Sequence, residues 1–366
     1  MNRQTVTALL GKRDVPTDAV EQYCRYLGAA LQSHQFQLET RRVSWEISGW
    51  ADALNALRSQ VVSWRGRWVL VQYTALAWSS RGFPYRFSRV LQILESAGAR
   101  IAIVFHDVEP FRGPRLVDRL RAHLQLRTMR HVLVSADLVI FTVPLEKISW
   151  LAGSTSRAHF IPVGPNLPIP IPPENALSRT DQNSAVPTIG VFSITGGERG
   201  ARETQFILAA VRHATQKVGR LRLSIFGRNA ELREAALRVG LQDLPVEISV
   251  EGLLDDQQVI DRLCAADVLL FVRDTINTGR SSAIAGIAAC TPMVAFSGVH
   301  TACPLFDAGV LFVSPDNPAE LHDALVRVLS EPELRASLRE RNAHVYRDYF
   351  SWPAIAATFA ALLKTT

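Results

Sequence analysis

The chain has 366 residues, 48% hydrophobic and 20% charged, with a formal net charge of +6. That composition excludes a disordered or fibrous chain and suffices for two cores of ordinary size. No run approaches the roughly 18 apolar residues of a membrane span, and the opening MNRQTVTALL lacks an apolar signal segment, so a cytoplasmic protein is expected. Cys24, Cys264, Cys290 and Cys303 form no C-x-x-C pair and the nine histidines show no metal-ligand spacing, which points to neither a disulfide framework nor a metal site.

In chain order, strand-like apolar runs occur at Val6 to Leu10, Trp68 to Tyr73, Arg100 to Phe105, Leu138 to Val143 and His159 to Val163. Helical patterns separate several of them, which predicts a parallel sheet. Polar residues follow these runs directly: Asp14, Thr17 and Asp18 after the first, Gln72, Tyr73 and Thr74 at the end of the second, and His106, Asp107 and Glu109 after the third. Polar groups at strand ends face the ligand crevice of an open α/β sheet, so these are candidate site residues. A structural histidine is the plainer alternative for His106.

The stretch 112–130 carries Arg115, Arg119, Arg121, Arg127 and Arg130 beside Leu116, Leu120, Leu124 and Met129. Two readings stand: a core-packing helix with a solvated basic face, or a basic helix resting on an anionic membrane through Arg115, Arg119 and Arg127. The charge is lopsided, with a formal net of +9 up to Pro165 and −3 beyond it. No basic stripe interleaved with aromatics accompanies it, and nucleic acid is not an expected partner.

GPNLPIPIPPENALSRTDQNSAVP, from Gly164 to Pro187, has no periodicity and reads as a semi-rigid linker. A second strand series follows at Thr188 to Ser193, Leu221 to Phe226, Val246 to Val250, Val268 to Val272, Met293 to Phe296 and Val310 to Val313, and an apolar helix closes the chain. The expected division is 1–165 with a helix at 347–366, a linker at 166–187, and a second domain at 188–346.

Three loops of the second half suggest a phosphate site. SITGGERGARET brings paired glycines with Arg199 and Arg202, SIFGRN ends a strand on Gly227 and Arg228, and FVRDTINTGRSSAIAG sets Arg280 before Ser281 and Ser282. The two serines are candidate helix caps, and first-turn amides beside an arginine fork suit a diphosphate. An ordinary capped helix and solvent loops are the alternative.

Two doubly wound domains, a linker and a terminal helix resemble the GT-B glycosyltransferases. The segment IAGIAACTPMVAF from Ile284 is similar to the L-E-A-M-A-x-G-x-P-V-V-A block of family 4, CAADVLLFV to the preceding strand, and FSWPAIAATFAALL to the closing helix. The resemblance implies two Rossmann-like domains facing a cleft, with the last helix crossing back to the first. It further implies a retaining, metal-independent transfer of a hexose from a nucleotide diphosphate sugar to a hydroxyl acceptor, glycan or lipid-linked, with no other cofactor. Donor contacts would come from Arg199, Arg202, Arg228, Asn277, Thr278, Gly279, Arg280, Ser281 and Ser282. His106 and Asp107 would be catalytic, and Asp14, Thr17, Asp18, Tyr73 and Glu109 would meet the acceptor. The chain departs from the family at the paired donor glutamates, whose positions hold Asn277 and Ala285. A nucleotide-sugar epimerase of the same fold and a non-catalytic nucleotide or sugar binder therefore remain alternatives.

Overall fold

The computed structural model describes residues 3–15, 18–151, 156–171 and 186–365. The chain forms two compact units, Met1–Val163 with Trp352–Thr366, and Gly164–Ser351. Residues 172–185 of the expected linker lie outside the described residues.

The first unit is a six-stranded parallel sheet of β1 (Gln4–Leu10), β2 (Phe36–Arg42), β3 (Trp68–Tyr73), β4 (Arg100–Phe105), β5 (Leu138–Phe141) and β6 (Ala158–Phe160), ordered β2-β1-β3-β4-β5-β6. Helices α1 (Ala19–Leu31), α2 (Trp45–Gln60), α3 (Phe87–Ser96) and α4 (Leu116–Ser135) connect the strands, and the terminal helix Trp352–Thr365 packs on α1. Trp68 on β3 donates its indole N–H to the Leu363 carbonyl at 3.0 Å, fixing that helix to the sheet. Every residue of β3 is buried, as expected of a parallel strand covered on both faces. β2 escaped the sequence reading because it is an edge strand, FQLETRR, whose outer positions are polar.

Tyr73 is a correction. As the last residue of β3 its side chain turns into the core, fully buried, with its ring 5.3 Å from Phe87 and 4.9 Å from Phe105. Its hydroxyl has no hydrogen-bond partner. Alternation along the strand sends Gln72 to the opposite face, so Tyr73 cannot meet an acceptor.

The second unit repeats the architecture with β7 (Thr188–Phe192), β8 (Leu221–Phe226), β9 (Val246–Glu251), β10 (Val268–Phe271), β11 (Met293–Phe296) and β12 (Val310–Val313), ordered β12-β11-β10-β7-β8-β9 and parallel throughout. Its helices are α5 (Gly197–Val218), α6 (Glu234–Leu241), α7 (Asp256–Ala265), α8 (Ser281–Ala288), α9 (Pro318–Ser330) and α10 (Pro332–Val345). Asp255 closes a capping box with Gln258 at the start of α7, and prolines open α9 and α10, where a missing N–H costs nothing. In each sheet the chain reverses direction at one point, between β1 and β3 in the first and between β7 and β10 in the second. Ligands of open α/β sheets bind beyond the strand carboxyl ends at such points.

Candidate functional sites

At the second unit's reversal, the loops after β7, β8 and β10 converge with the N-termini of α5 and α8. The loop after β7 is shaped by glycine: Gly197 has φ 65°, and a Cβ on Gly200 would fall 1.8 Å from the Thr195 carbonyl oxygen. Backbone N–H groups at the start of the 22-residue α5 are thereby left accessible to an anion. Arg199 and Arg202 rise from its first turns and line a cavity of about 320 Å³ with Phe206, Asp274 and Thr275. The Arg202 guanidinium lies 5.7 Å from the Phe206 ring. After β8, Gly227 (φ 93°) and Asn229 (φ 62°) turn the chain, and Ser193 Oγ accepts from the Arg228 amide at 3.2 Å.

Arg273, on the loop after β10, was not anticipated from the sequence. Burial pulls its pKa below the usual arginine value, the Arg280 guanidinium lowers it further, Glu203 raises it, and Arg228 again lowers it. Glu203 is buried and accepts from the Thr195 amide at 2.8 Å. The Arg228 and Arg280 guanidinium groups thus both bear on Arg273, against the attraction of the buried Glu203 carboxylate. Like charges brought together in a half-buried site destabilise the empty protein and are relieved by an anion of at least two charges. The signal in the sequence was a charged residue directly after an apolar strand run, as in His106 and Asp107.

The α8 region departs from expectation in one respect. Ser281 and Ser282 are not caps: the helix begins at Ser281, Arg280 occupies the cap position, and no side chain caps it. Asn277 takes up the turn instead, its Oδ1 accepting from the Gly279 amide at 2.9 Å. The Ser281 and Ser282 amides head the helix, where no preceding carbonyl is in register for them. Arg280 contacts Asp274 at 3.3 Å in a largely exposed pair of little strength. Thr278 is fully buried and Ala285 sits in the core at 1% exposure.

At the first unit's reversal, a cavity of about 250 Å³ is lined by Lys12, Arg13, Asp14, Asp18, Gln72 and Asp107, among others. Gly11 forms its tight edge, since a Cβ there would lie 2.2 Å from the Ala77 carbonyl oxygen. Asp18 caps α1, accepting from the Val20 and Glu21 amides at 3.1 and 3.0 Å, and pairs with Arg42 at 3.1 Å. Its carboxylate is therefore mostly spent on structure. Asp107 Oδ2 accepts from the Ala75 amide at 2.9 Å. Burial of its carboxyl raises its pKa above the ordinary carboxylate value, and the Ala75 bond offsets part of the rise.

His106 is half-buried, with Nε2 2.8 Å from Gln72 Oε1 and its ring 5.0 Å from Tyr23 in edge geometry. Burial pushes its pKa down to about 4, against a smaller upward pull from Asp18. The imidazole is therefore neutral at pH 7. With Gln72 Oε1 as acceptor, Nε2 carries the proton and Nδ1 presents its lone pair. Gln72 Nε2, buried where its residue lines the cavity, has no hydrogen-bond partner. A buried donor left unpaired is costly and points to an oxygen supplied by a ligand.

Glu109 is placed differently. It accepts from the Ser149 amide and hydroxyl at 2.6 and 2.7 Å and clamps that segment to the strand end. Neither it nor His106 lines the cavity; His106 meets the lining through its bond to Gln72. Thr17 lies outside the described residues. Among the described residues no group of three His, Cys, Asp or Glu is arranged to hold a metal, and no helix is long and apolar enough to cross a membrane.

No protein-family model and no curated protein sequence matches the chain. Solved structures do match over the whole length. Sucrose-phosphate synthase from Thermosynechococcus elongatus superposes with TM-score 0.70 at 18% identity, covering 99% of this chain and 98% of that one. Anabaena HepE, solved with UDP and glucose, gives 0.66 at 13% with full coverage of both chains. WaaG, a glycosyltransferase of lipopolysaccharide biosynthesis, gives 0.63 at 13%, covering 99% and 100%. The chain has the GT-B fold. Its two Rossmann-like units and terminal helix correspond to that architecture from end to end, at identities that establish the fold and leave the chemistry to the residues above.

The His106 environment sets a pH dependence of stability. Its folded pKa lies below that of an unfolded histidine, so the contribution is fully present above about pH 6.5, the unfolded value, and is lost as pH falls toward 4. The displacement corresponds to about 3 kcal/mol. Wild-type melting temperature is expected to drop across that window more steeply than that of His106→Gln, measured by calorimetry in matched buffers. Parallel curves would remove His106 as the cause.

Proposed function

We propose that the chain is a glycosyltransferase that binds a nucleotide diphosphate sugar in its second unit and transfers a hexose to a hydroxyl acceptor, glycan or lipid-linked. The observation that carries this is the cluster of Arg228, Arg273 and Arg280 beside two helix N-termini at the sheet reversal. Such a cluster compensates the charge that grows on a departing diphosphate, the task a divalent cation performs in other sites. HepE, of the same fold, was solved with UDP and with UDP-glucose, which makes a uridine nucleotide the first donor to test.

In this proposal the first unit's cavity takes the acceptor or sugar hydroxyls. Gln72 Nε2 would meet an oxygen there, and neutral His106 would orient hydroxyl groups and remain uncharged. Retention, which the resemblance to family 4 implies, would proceed by front-face displacement, the leaving phosphate assisting deprotonation of the acceptor. Asn277, with Oδ1 held by the Gly279 amide, keeps its NH₂ for a sugar hydroxyl, so a donor different from the family's usual one is favoured over loss of binding.

A thermal-shift panel of UDP, GDP and ADP, each free and sugar-linked, tests the proposal. A nucleotide at 100 times its dissociation constant stabilises by about 2.7 kcal/mol. No shift with any of them overturns the donor assignment. Accumulation of an epimer without acceptor would replace transfer by epimerisation.

A further inference from the structure

Helix α4 carries apolar residues on its outward as well as its inward side. Its inward side is held by Asp118, Gln125, Met129 and Val132, all buried, while Leu116, Leu120 and Val134 are 80%, 55% and 77% exposed. At 100° per residue these three fall on one stripe with His123 and Arg127, bordered along one edge by Arg119 and Arg130. The helix has a single acidic residue, Asp118, and that one is buried and paired with Arg121 at 2.6 Å. Among the described residues Arg115, Arg119, Arg127 and Arg130 pair with no carboxylate.

The outward turn of Leu116 and Leu120 is built into the loop packing. Asp118 Oδ2 accepts from the Arg115 amide at 3.2 Å, Gln125 bridges the Phe111 amide at 2.7 Å and the Gly82 carbonyl at 2.8 Å, and Arg121 Nε donates to the Arg81 carbonyl at 2.9 Å. Polar residues therefore fasten the inner side to neighbouring loops in the first half of the helix, Met129 and Val132 pack in the core in the second half, and Leu116, Leu120 and Val134 are left outside. Phe111, 44% exposed, belongs to this loop side, its amide bonded to Gln125 and its ring 5.0 Å from the Arg121 guanidinium.

We propose that the outward face of α4 is a docking surface for an anionic lipid bilayer, its arginines meeting headgroup phosphates while Leu116 and Leu120 enter the acyl boundary. A chain about 30 Å long, basic and apolar on one face and free of outward acids, matches an interfacial helix lying in the membrane plane. Soluble surfaces separate exposed leucines from one another, and a protein partner would require acidic complement to four unpaired arginines, which a bilayer of anionic lipid supplies continuously. The proposal goes beyond the donor assignment and does not depend on it.

The test is flotation of the full chain with vesicles of phosphatidylcholine containing phosphatidylglycerol, against pure phosphatidylcholine. Binding is expected only to the anionic vesicles, and Arg119→Gln/Arg127→Gln/Arg130→Gln should weaken it on the order of 100-fold, at about fivefold per arginine. Leu116→Ser/Leu120→Ser should also weaken it at least tenfold and remove the fraction that survives high salt, since that part rests on insertion. Unchanged melting temperatures show that the variants fold. Equal recovery on neutral vesicles, no recovery on either, leucine variants that bind as wild type, a concentration-dependent dimer that occludes the face, or preferential capture of duplex DNA would each overturn the proposal.

Discussion

Arg273→Met is expected to lower nucleoside diphosphate affinity by about 30-fold while leaving the empty protein as stable as wild type or more so. A charge-assisted bond to phosphate contributes about 2 kcal/mol, and its loss appears directly in binding. In the ligand-free protein the balance runs the other way. Arg273 is half-buried, its charge opposed by burial and by Arg280 and Arg228, with Glu203 the attractive neighbour. Replacing it with an unbranched apolar side chain removes two repulsions and keeps the volume. Titration calorimetry with the nucleotide found by the panel, together with a melt of the free protein, checks both signs. A variant that loses stability and keeps affinity would show Arg273 to be a structural partner of Glu203, and the phosphate assignment would fail with it.

The strands of both sheets were legible because parallel strands buried on two faces are continuous apolar runs, and β3, Trp68–Tyr73, is such a run without interruption. β2 was not legible for the converse reason. Its edge position lets Glu39 and Arg41 face outward, leaving only Phe36 and Leu38 as an alternating signal. Strand ends are legible in the sequence, but the crevice takes only one side of each strand: one step of alternation separates Gln72, on the cavity, from Tyr73, in the core. Arg273 directly follows the apolar run Val268 to Val272 just as His106 follows Arg100 to Phe105, so the same strand-end pattern marks both.

The arginines of α4 could be counted from the sequence, and the direction they face could not. Leu116 and Leu120 have the spacing of a core stripe, and periodicity alone assigns them to the inside. What turns Leu116 and Leu120 outward is a set of long-range bonds from Gln125 and Arg121 to the loop at 81–82, which no local pattern encodes. The same limit applies to α8, where the Asx turn of Asn277 shifts the helix start so that Ser281 and Ser282 become first-turn residues.

His106→Ala should reduce turnover by about 100-fold or more and change nucleotide affinity little, because the phosphate anchors belong to the other unit. Structure and chemistry are separable here through Gln72. Removing the imidazole leaves Gln72 with both ends of its carboxamide unpaired in a buried site, at a cost of about 1–3 kcal/mol. His106→Gln offers Gln72 an amide partner and avoids the burial of an ionisable ring, so it should recover that stability. A histidine that serves only the core predicts that activity recovers with it, in proportion to folded protein. A histidine whose Nδ1 lone pair orients a hydroxyl predicts that stability returns and turnover does not. Because the neutral ring persists down to about pH 4, the wild-type rate should also show no limb from this residue between pH 8 and 5. Turnover, nucleotide affinity and melting temperature of the two variants at pH 7 decide between the roles, and full activity in His106→Gln would remove the orienting one.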